Sequence, residues 1–144
     1  MEAPQNDALP HVPVWRLNLL RFMFVLMAFV LGSVVWPQLL FGSSNWHWGL
    51  GMGKSMLAAL SLLSLLGVRY PLQMLPLILY ELAWKTIWMA FIALPAYASD
   101  RMTDDIKDLL FDCVGVVILY FVIPWRYVWA RYVKQPAEPW RKQP

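Results

Sequence analysis

The sequence predicts an all-α fold, an integral membrane bundle of four antiparallel helices. Composition is the first observation behind it. Of 144 residues, 60% are hydrophobic and 15% charged, with a mean hydropathy of +0.50; soluble domains average about half apolar and a quarter charged. The second is the spacing of charge. No Asp, Glu, Lys or Arg occurs over 22–53, and further charge-free runs cover 55–68, 86–99 and 113–125. A span needs about 20 largely apolar residues to cross roughly 30 Å of hydrocarbon. Four such windows fit and use most of the chain, so one membrane domain is expected and no second, soluble one. The third is aromatic placement: Trp15, Trp36, Trp46, Trp48, Trp125 and Trp129 fall near the expected span ends, as do Tyr70, Tyr97, Tyr127 and Tyr132. Amphipathic rings concentrate at headgroup level.

Residues 1–13 carry three prolines and no periodicity, which predicts a flexible N-terminal tail. The tail holds Glu2 and Asp7 in place of a basic region, and no small-residue cleavage site follows the first apolar run. That run is therefore expected to be a retained span, not a removed signal peptide. The first span covers 15–36 and stops at Pro37; the cluster Gly42-Ser43-Ser44-Asn45 reads as a turn before the second span, 46–66. In Gly67-Val68-Arg69-Tyr70-Pro71 the glycine ends one helix and the proline opens the next, a link short enough to force an antiparallel hairpin. The third span, 71–98, contains Pro76 and Pro95, which membrane helices tolerate when neighbours satisfy the freed backbone groups. After a polar, acidic stretch at 99–108, Thr103 or Asp104 is expected to cap the fourth span, 105–124. Residues 125–134 alternate aromatic and basic side chains, which suits a helix lying along the interface, and 135–144 reads as a flexible tail. No internal repeat is evident.

Basic residues set the expected orientation. Arg16, Arg21, Arg69, Arg126, Arg131, Lys134, Arg141 and Lys142 all fall on the side of the two termini. The first loop has none, and the third has only Arg101 and Lys107 beside four aspartates. Cytoplasmic loops carry the Lys/Arg excess, so both termini are expected in the cytoplasm. The net charge of +3 thus reflects topology, and no basic face suggests nucleic acid binding.

Ionisable residues within the apolar stretches are the candidate site. Glu81 and Lys85 lie four residues apart in the third span, Lys54 in the second and Asp112 in the fourth. Charge in hydrocarbon is costly and by default marks function, with a partner required. Helical spacing aligns Gln73, Leu77, Glu81, Trp84, Lys85 and Trp88 on one face, and Glu preceding Lys at i, i+4 is the favourable order. The plain reading is a self-neutralising intrahelical pair; the functional one is a polar site walled by Trp84 and Trp88. Rise per residue puts all four charges in a layer roughly 10 Å thick, so they are expected to form one interior cluster in which Lys54 pairs with Asp112 or Glu81. Asp105 and Asp108 share a face with Asp112 and are expected to line a vestibule from the outer surface; their plain reading is a solvated helix start complementing the positive dipole.

Other motifs carry less chemistry. Gly49-Leu50-Gly51-Met52-Gly53-Lys54-Ser55 ends in G-K-S, but a P-loop requires glycine where Trp48 stands. The same residues read better as packing: Gly49 and Gly53 form G-x-x-x-G, and Gly51, Ser55 and Ala59 form a small-residue ridge, with Ala28 and Gly32 as the candidate mate. The single cysteine, Cys113, excludes an internal disulfide or C-x-x-C pair. His11 and His47 do not form a bis-histidine set, and no metal or cofactor is expected.

The layout resembles the small four-span bacterial membrane proteins of the DoxX-like type in span number, length and orientation; Arg69-Tyr70-Pro71-Leu72-Gln73-Met74-Leu75-Pro76 and Ile123-Pro124-Trp125-Arg126-Tyr127 have the look of a family signature. The resemblance implies a bacterial inner-membrane location and a role near quinone or redox chemistry. The expected function is a non-enzymatic membrane protein, surrounded by lipid bilayer, whose charged cluster stabilises the bundle and binds a small amphiphile or a partner protein. The alternatives are a proton-coupled transporter using the same cluster and a redox-accessory subunit.

Overall fold

The computed structural model describes residues 9–42 and 47–136. Among them every regular element is helical. Five helices follow in order. α1 is Val14–Phe41, α2 Trp48–Arg69 and α3 Leu75–Ala98, and each of these three is long and apolar enough to cross a membrane. α4 consists of Asp104–Val114 and Val116–Val122, joined at Gly115, and α5 of Trp125–Trp129 continuing through Ala130–Lys134. The expected tails at 1–8 and 137–144, and Ser43, Ser44, Asn45 and Trp46 of the expected turn and span start, lie outside the described residues.

Two helices depart from their expected ends for reasons the backbone explains. α1 continues past Pro37 to Phe41. It contains a wider π-type turn at Met27–Leu31, and α3 contains another at Met89–Ala93, two residues before Pro95. In α3 the wider turn includes Phe91, whose carbonyl would otherwise face the missing N–H of Pro95, so the local change of register accommodates that proline. Both begin with the same three residues, Met-Ala-Phe, followed by a β-branched one: Met27-Ala28-Phe29-Val30 and Met89-Ala90-Phe91-Ile92. The first helix of each hairpin therefore repeats a short motif at its distortion, a local recurrence absent from the expectation. α3 begins at Leu75 instead of 71 because 71–74 form a turn closed by Met74 N–H on the Tyr70 carbonyl, with Pro76 in the first helical turn.

The fourth apolar stretch is not one continuous helix. Gly115 interrupts it, and the part before the break carries five charged residues, Asp104, Asp105, Lys107, Asp108 and Asp112. Thr103 caps it as expected, its hydroxyl accepting from Ile106 N–H at 3.4 Å. The turn before it is closed by Asp100 at φ 53°, with Arg101 N–H on the Ala96 carbonyl and Asp100 N–H on the Tyr97 carbonyl. This is a Schellman ending with aspartate in the left-handed position that glycine usually fills.

Packing builds two antiparallel pairs. α1 lies along α2 from Phe24 against Gly67 to Gln38 against Lys54. α3 lies along α4, with Leu75–Trp88 against Val116–Val122 and Met89–Ala93 against Asp104–Val114. The pairs meet at the end that carries the termini, where Val14–Leu26 touches Val116–Val122 and α2 touches Leu75–Trp88. The core is accordingly made of Leu20, Phe24, Leu60, Ile78, Val116 and Val122 with their neighbours. Outside it the helices present large apolar side chains, such as Phe91 at 76% exposure and Phe121 at 77%, a surface that water disfavours and hydrocarbon accepts.

The small-residue ridge is not the helix–helix seam. Gly53 has nothing within 4 Å of where a Cβ would stand, and Ser55 and Ala59 are exposed. Close approach occurs lower on the helix instead. A Cβ on Gly67 would lie 2.2 Å from the Phe24 ring, while Gly32 approaches Ser61 at an ordinary 3.6 Å. Gly67, expected to end α2, lies inside it, because the helix runs on to Arg69.

Candidate functional site

Glu81 is the charged residue the fold buries, at 6% exposure on α3. Its neighbours come from its own helix, since positions i+3 and i+4 share its face. Lys85 Nζ lies 2.8 Å from Glu81 Oε1, and Trp84 Nε1 donates to Glu81 Oε2 at 2.7 Å. Both carboxylate oxygens are thus engaged. Lys85 Nζ also stands 5.6 Å from the centre of the Trp84 ring, within cation–π range. Trp84 therefore serves the pair through both its N–H and its face.

Lys85 reaches across to α4, to the backbone. Its amine donates to the Asp112 carbonyl at 3.5 Å. Asp112 lies in the last turn of Asp104–Val114, ahead of the break at Gly115, where carbonyls lack intrahelical partners and the dipole favours a cation. Lys85 thus caps a helix end that exists because of Gly115. A second link between the same helices joins Thr86 Oγ1 and the Tyr120 hydroxyl at 3.1 Å. Trp125 Nε1 donates to the Tyr120 carbonyl at 2.8 Å and its ring stacks on Tyr120, which fixes the corner between α4 and α5.

The expected four-charge cluster forms only in part. Glu81 and Lys85 pair, whereas Lys54 and Asp112 form no ion pair with each other among the described residues; a further ion pair there is Lys107–Asp104. Lys54 shares a stripe with Ala58 and Ser61 that packs on α1, and its amine donates to Gln38 Oε1. Asp112 is on the other helix pair, in the part of α4 that faces α3 and lies away from where the pairs join. A shared depth would not by itself bring together helices whose loop-side halves lie in separate pairs. The Asp112 side chain is exposed, as are Asp105 and Asp108. Trp88 is half-buried beyond the pair.

Sequence reasoning missed Thr86 and Tyr120, whose small polar groups gave no spacing signal because they meet across helices. It also missed Trp36 Nε1 donating to Ser61 Oγ at 3.1 Å, the polar tie between α1 and α2. Two open cavities of about 540 and 320 Å³ lie at the terminal end, and neither is lined by Glu81, Lys85, Trp84 or Trp88.

Comparison with known protein families, curated proteins and solved structures gives no match.

Proposed function

We propose that the chain is a non-enzymatic four-span protein of the bacterial inner membrane, with both termini cytoplasmic, that docks against a partner membrane helix. In this reading the Glu81–Lys85–Trp84 group locks α3 to α4, and the face of α4 bearing Asp112 and Asp108 receives the partner. One observation carries it: the Asp112 carboxylate is exposed beside a lysine already committed to Glu81 and to a backbone carbonyl. A carboxylate at that depth facing lipid is costly, and intramembrane acids pair with a cation or line a polar cavity. A partner helix with a Lys or Arg at matching depth meets that requirement. The closed geometry of Glu81, with both oxygens occupied, favours a structural role for the pair over catalysis or proton relay. The four-span layout adds a quinone-linked membrane complex as the kind of assembly such a protein would join.

The test is accessibility at position 112. With Cys113→Ser as background, Asp112→Cys should react slowly with a membrane-permeant maleimide in native membranes and quickly in nanodiscs holding one purified copy each. Lipid surrounds the site in both, so the difference reports a protein cover. Equal rates in the two preparations contradict the docking face. Ion flux through purified protein in vesicles, abolished by Glu81→Gln, moves the proton-coupled reading ahead.

A further inference from the structure

The terminal end of the molecule holds a hollow that the docking reading leaves unused. Two cavities adjoin there and share Pro10 and Arg126. The larger, about 540 Å³, is walled by Trp125, Val128, Trp129, Ala130 and Val133, with Lys134 beside them. The smaller, about 320 Å³, is lined by His11, Arg16, Arg126 and Tyr127 among others. Together they make one elongated site, apolar along one arm and basic along the other.

Among the described residues no acidic side chain lines the basic arm. The described acids are Glu81, buried within α3, and five aspartates between Asp100 and Asp112 on the α3–α4 turn and the first part of α4. Neither Arg16 nor Arg126 takes part in an ion pair among the described residues; Arg16 lies over the Trp15 ring, its guanidinium carbon 5.3 Å from the centroid. Guanidinium forks match the oxygens of a phosphate and pay little in geometry to bind it. Free phosphate would use only the smaller cavity. A ligand that fills both must carry a hydrocarbon part continuous with its phosphate, and the belt of Trp15, Trp125 and Trp129 is the kind found at headgroup level.

We infer that this hollow binds an anionic phospholipid, its phosphate between Arg16 and Arg126 and the start of its acyl chains against Val128, Trp129 and Val133. Bound there, the lipid ties the segment before α1 to α5 and fixes the angle at which α5 leaves Pro124.

The experiment uses the full chain in phosphatidylcholine nanodiscs containing a trace of phosphatidylglycerol with a photoreactive acyl chain, read by mass spectrometry of the peptide containing 125–134. Labelling should be displaced by unlabelled phosphatidylglycerol and unaffected by the same amount of added phosphatidylcholine or by millimolar inorganic phosphate. Displacement by phosphatidylcholine overturns the anion preference, and displacement by inorganic phosphate overturns the lipid assignment. These arms need no variant, so they decide the matter whether or not substitutions fold. Arg16→Gln and Arg126→Gln should each weaken labelling about fivefold, the usual contribution of a basic side chain near an anionic surface, while Arg126→Lys keeps most of it. Arg131→Gln, outside both cavities, should change labelling less than about twofold. An equal loss from Arg131→Gln means diffuse attraction to the surface and overturns the site.

Discussion

Replacing Gly67 with alanine should destabilise the protein, although the same change normally strengthens a helix. Alanine in a helix interior is favoured over glycine by about 1 kcal/mol. Here the added methyl would stand 2.2 Å from Phe24 Cδ1 and 2.4 Å from Cε1 and Cγ, against a carbon–carbon optimum of about 3.5–4.0 Å. The overlap is therefore about 1.1–1.8 Å, taking the nearer and farther ends of that optimum. Phe24 is fully buried and its ring is rigid, so the helices must part. Overpacking of this kind costs about 1–3 kcal/mol, and the upper end applies because three ring atoms are struck at once. The net loss expected is about 1–2 kcal/mol after the propensity gain. Gly53→Ala is the control, with nothing within 4 Å, and should be neutral or stabilising by up to about 1 kcal/mol. Equilibrium unfolding of the purified protein in mixed micelles, followed by circular dichroism, measures both. Gly67→Ala with Phe24→Leu should recover part of the loss, since the smaller, flexible side chain can yield. If Gly67→Ala is as stable as Gly53→Ala, the α1–α2 seam does not run through Phe24 and the packing described is wrong.

Three further outcomes are expected from the same assay. Asp100→Gly should gain about 1 kcal/mol, because a left-handed backbone costs most residues about 1–2 kcal/mol and glycine nothing; a loss would mean that the Asp100 side chain holds the turn. Ser61→Ala should cost about 1–2 kcal/mol by leaving Trp36 Nε1 without its acceptor, and Trp36→Phe with Ser61→Ala should cost less than the sum. Lys54→Met should have no energetic coupling to Asp112→Leu beyond about 0.5 kcal/mol, the additivity expected of sites that share no partner; a larger coupling would restore the four-charge cluster.

Much of the fold was legible because it rests on local signals. Thr103 announced its cap and charge-free runs three helices of sufficient length; the Gly67–Pro71 link announced the turn between α2 and α3, but these two helices touch only at the terminal end and α2 pairs with α1. Pro37 misled, since a proline within an apolar span need not end its helix. Within the site, Glu81, Trp84 and Lys85 were legible from i+3 and i+4 spacing, a property of one helix. Lys54 was expected to pair with Asp112 or Glu81, which rise per residue alone could not decide, because which helices adjoin depends on packing surfaces. Those surfaces were set by Gly67 against Phe24 and by the break at Gly115, single glycines whose role no spacing rule marks. Arg16 and Arg126 were counted only as orientation signals; that they line adjoining cavities required the corner at Pro124.

The central claim is that Glu81 and Lys85 act as one structural unit holding α3 to α4, and a double-substitution cycle tests it most directly. Lys85→Leu leaves the buried Glu81 uncompensated, which in soluble proteins costs about 3–5 kcal/mol, and Glu81→Leu leaves the half-buried Lys85 without its partner, at a smaller cost. The pair replaced together should cost far less than the two losses summed, with a coupling above about 2 kcal/mol, and Lys85→Leu alone should also loosen amide exchange protection in the last turn before Gly115, where its amine meets the Asp112 carbonyl. Single changes that each fall within about 0.5 kcal/mol of the parent and simply add, with exchange near Gly115 unaltered, would contradict the account.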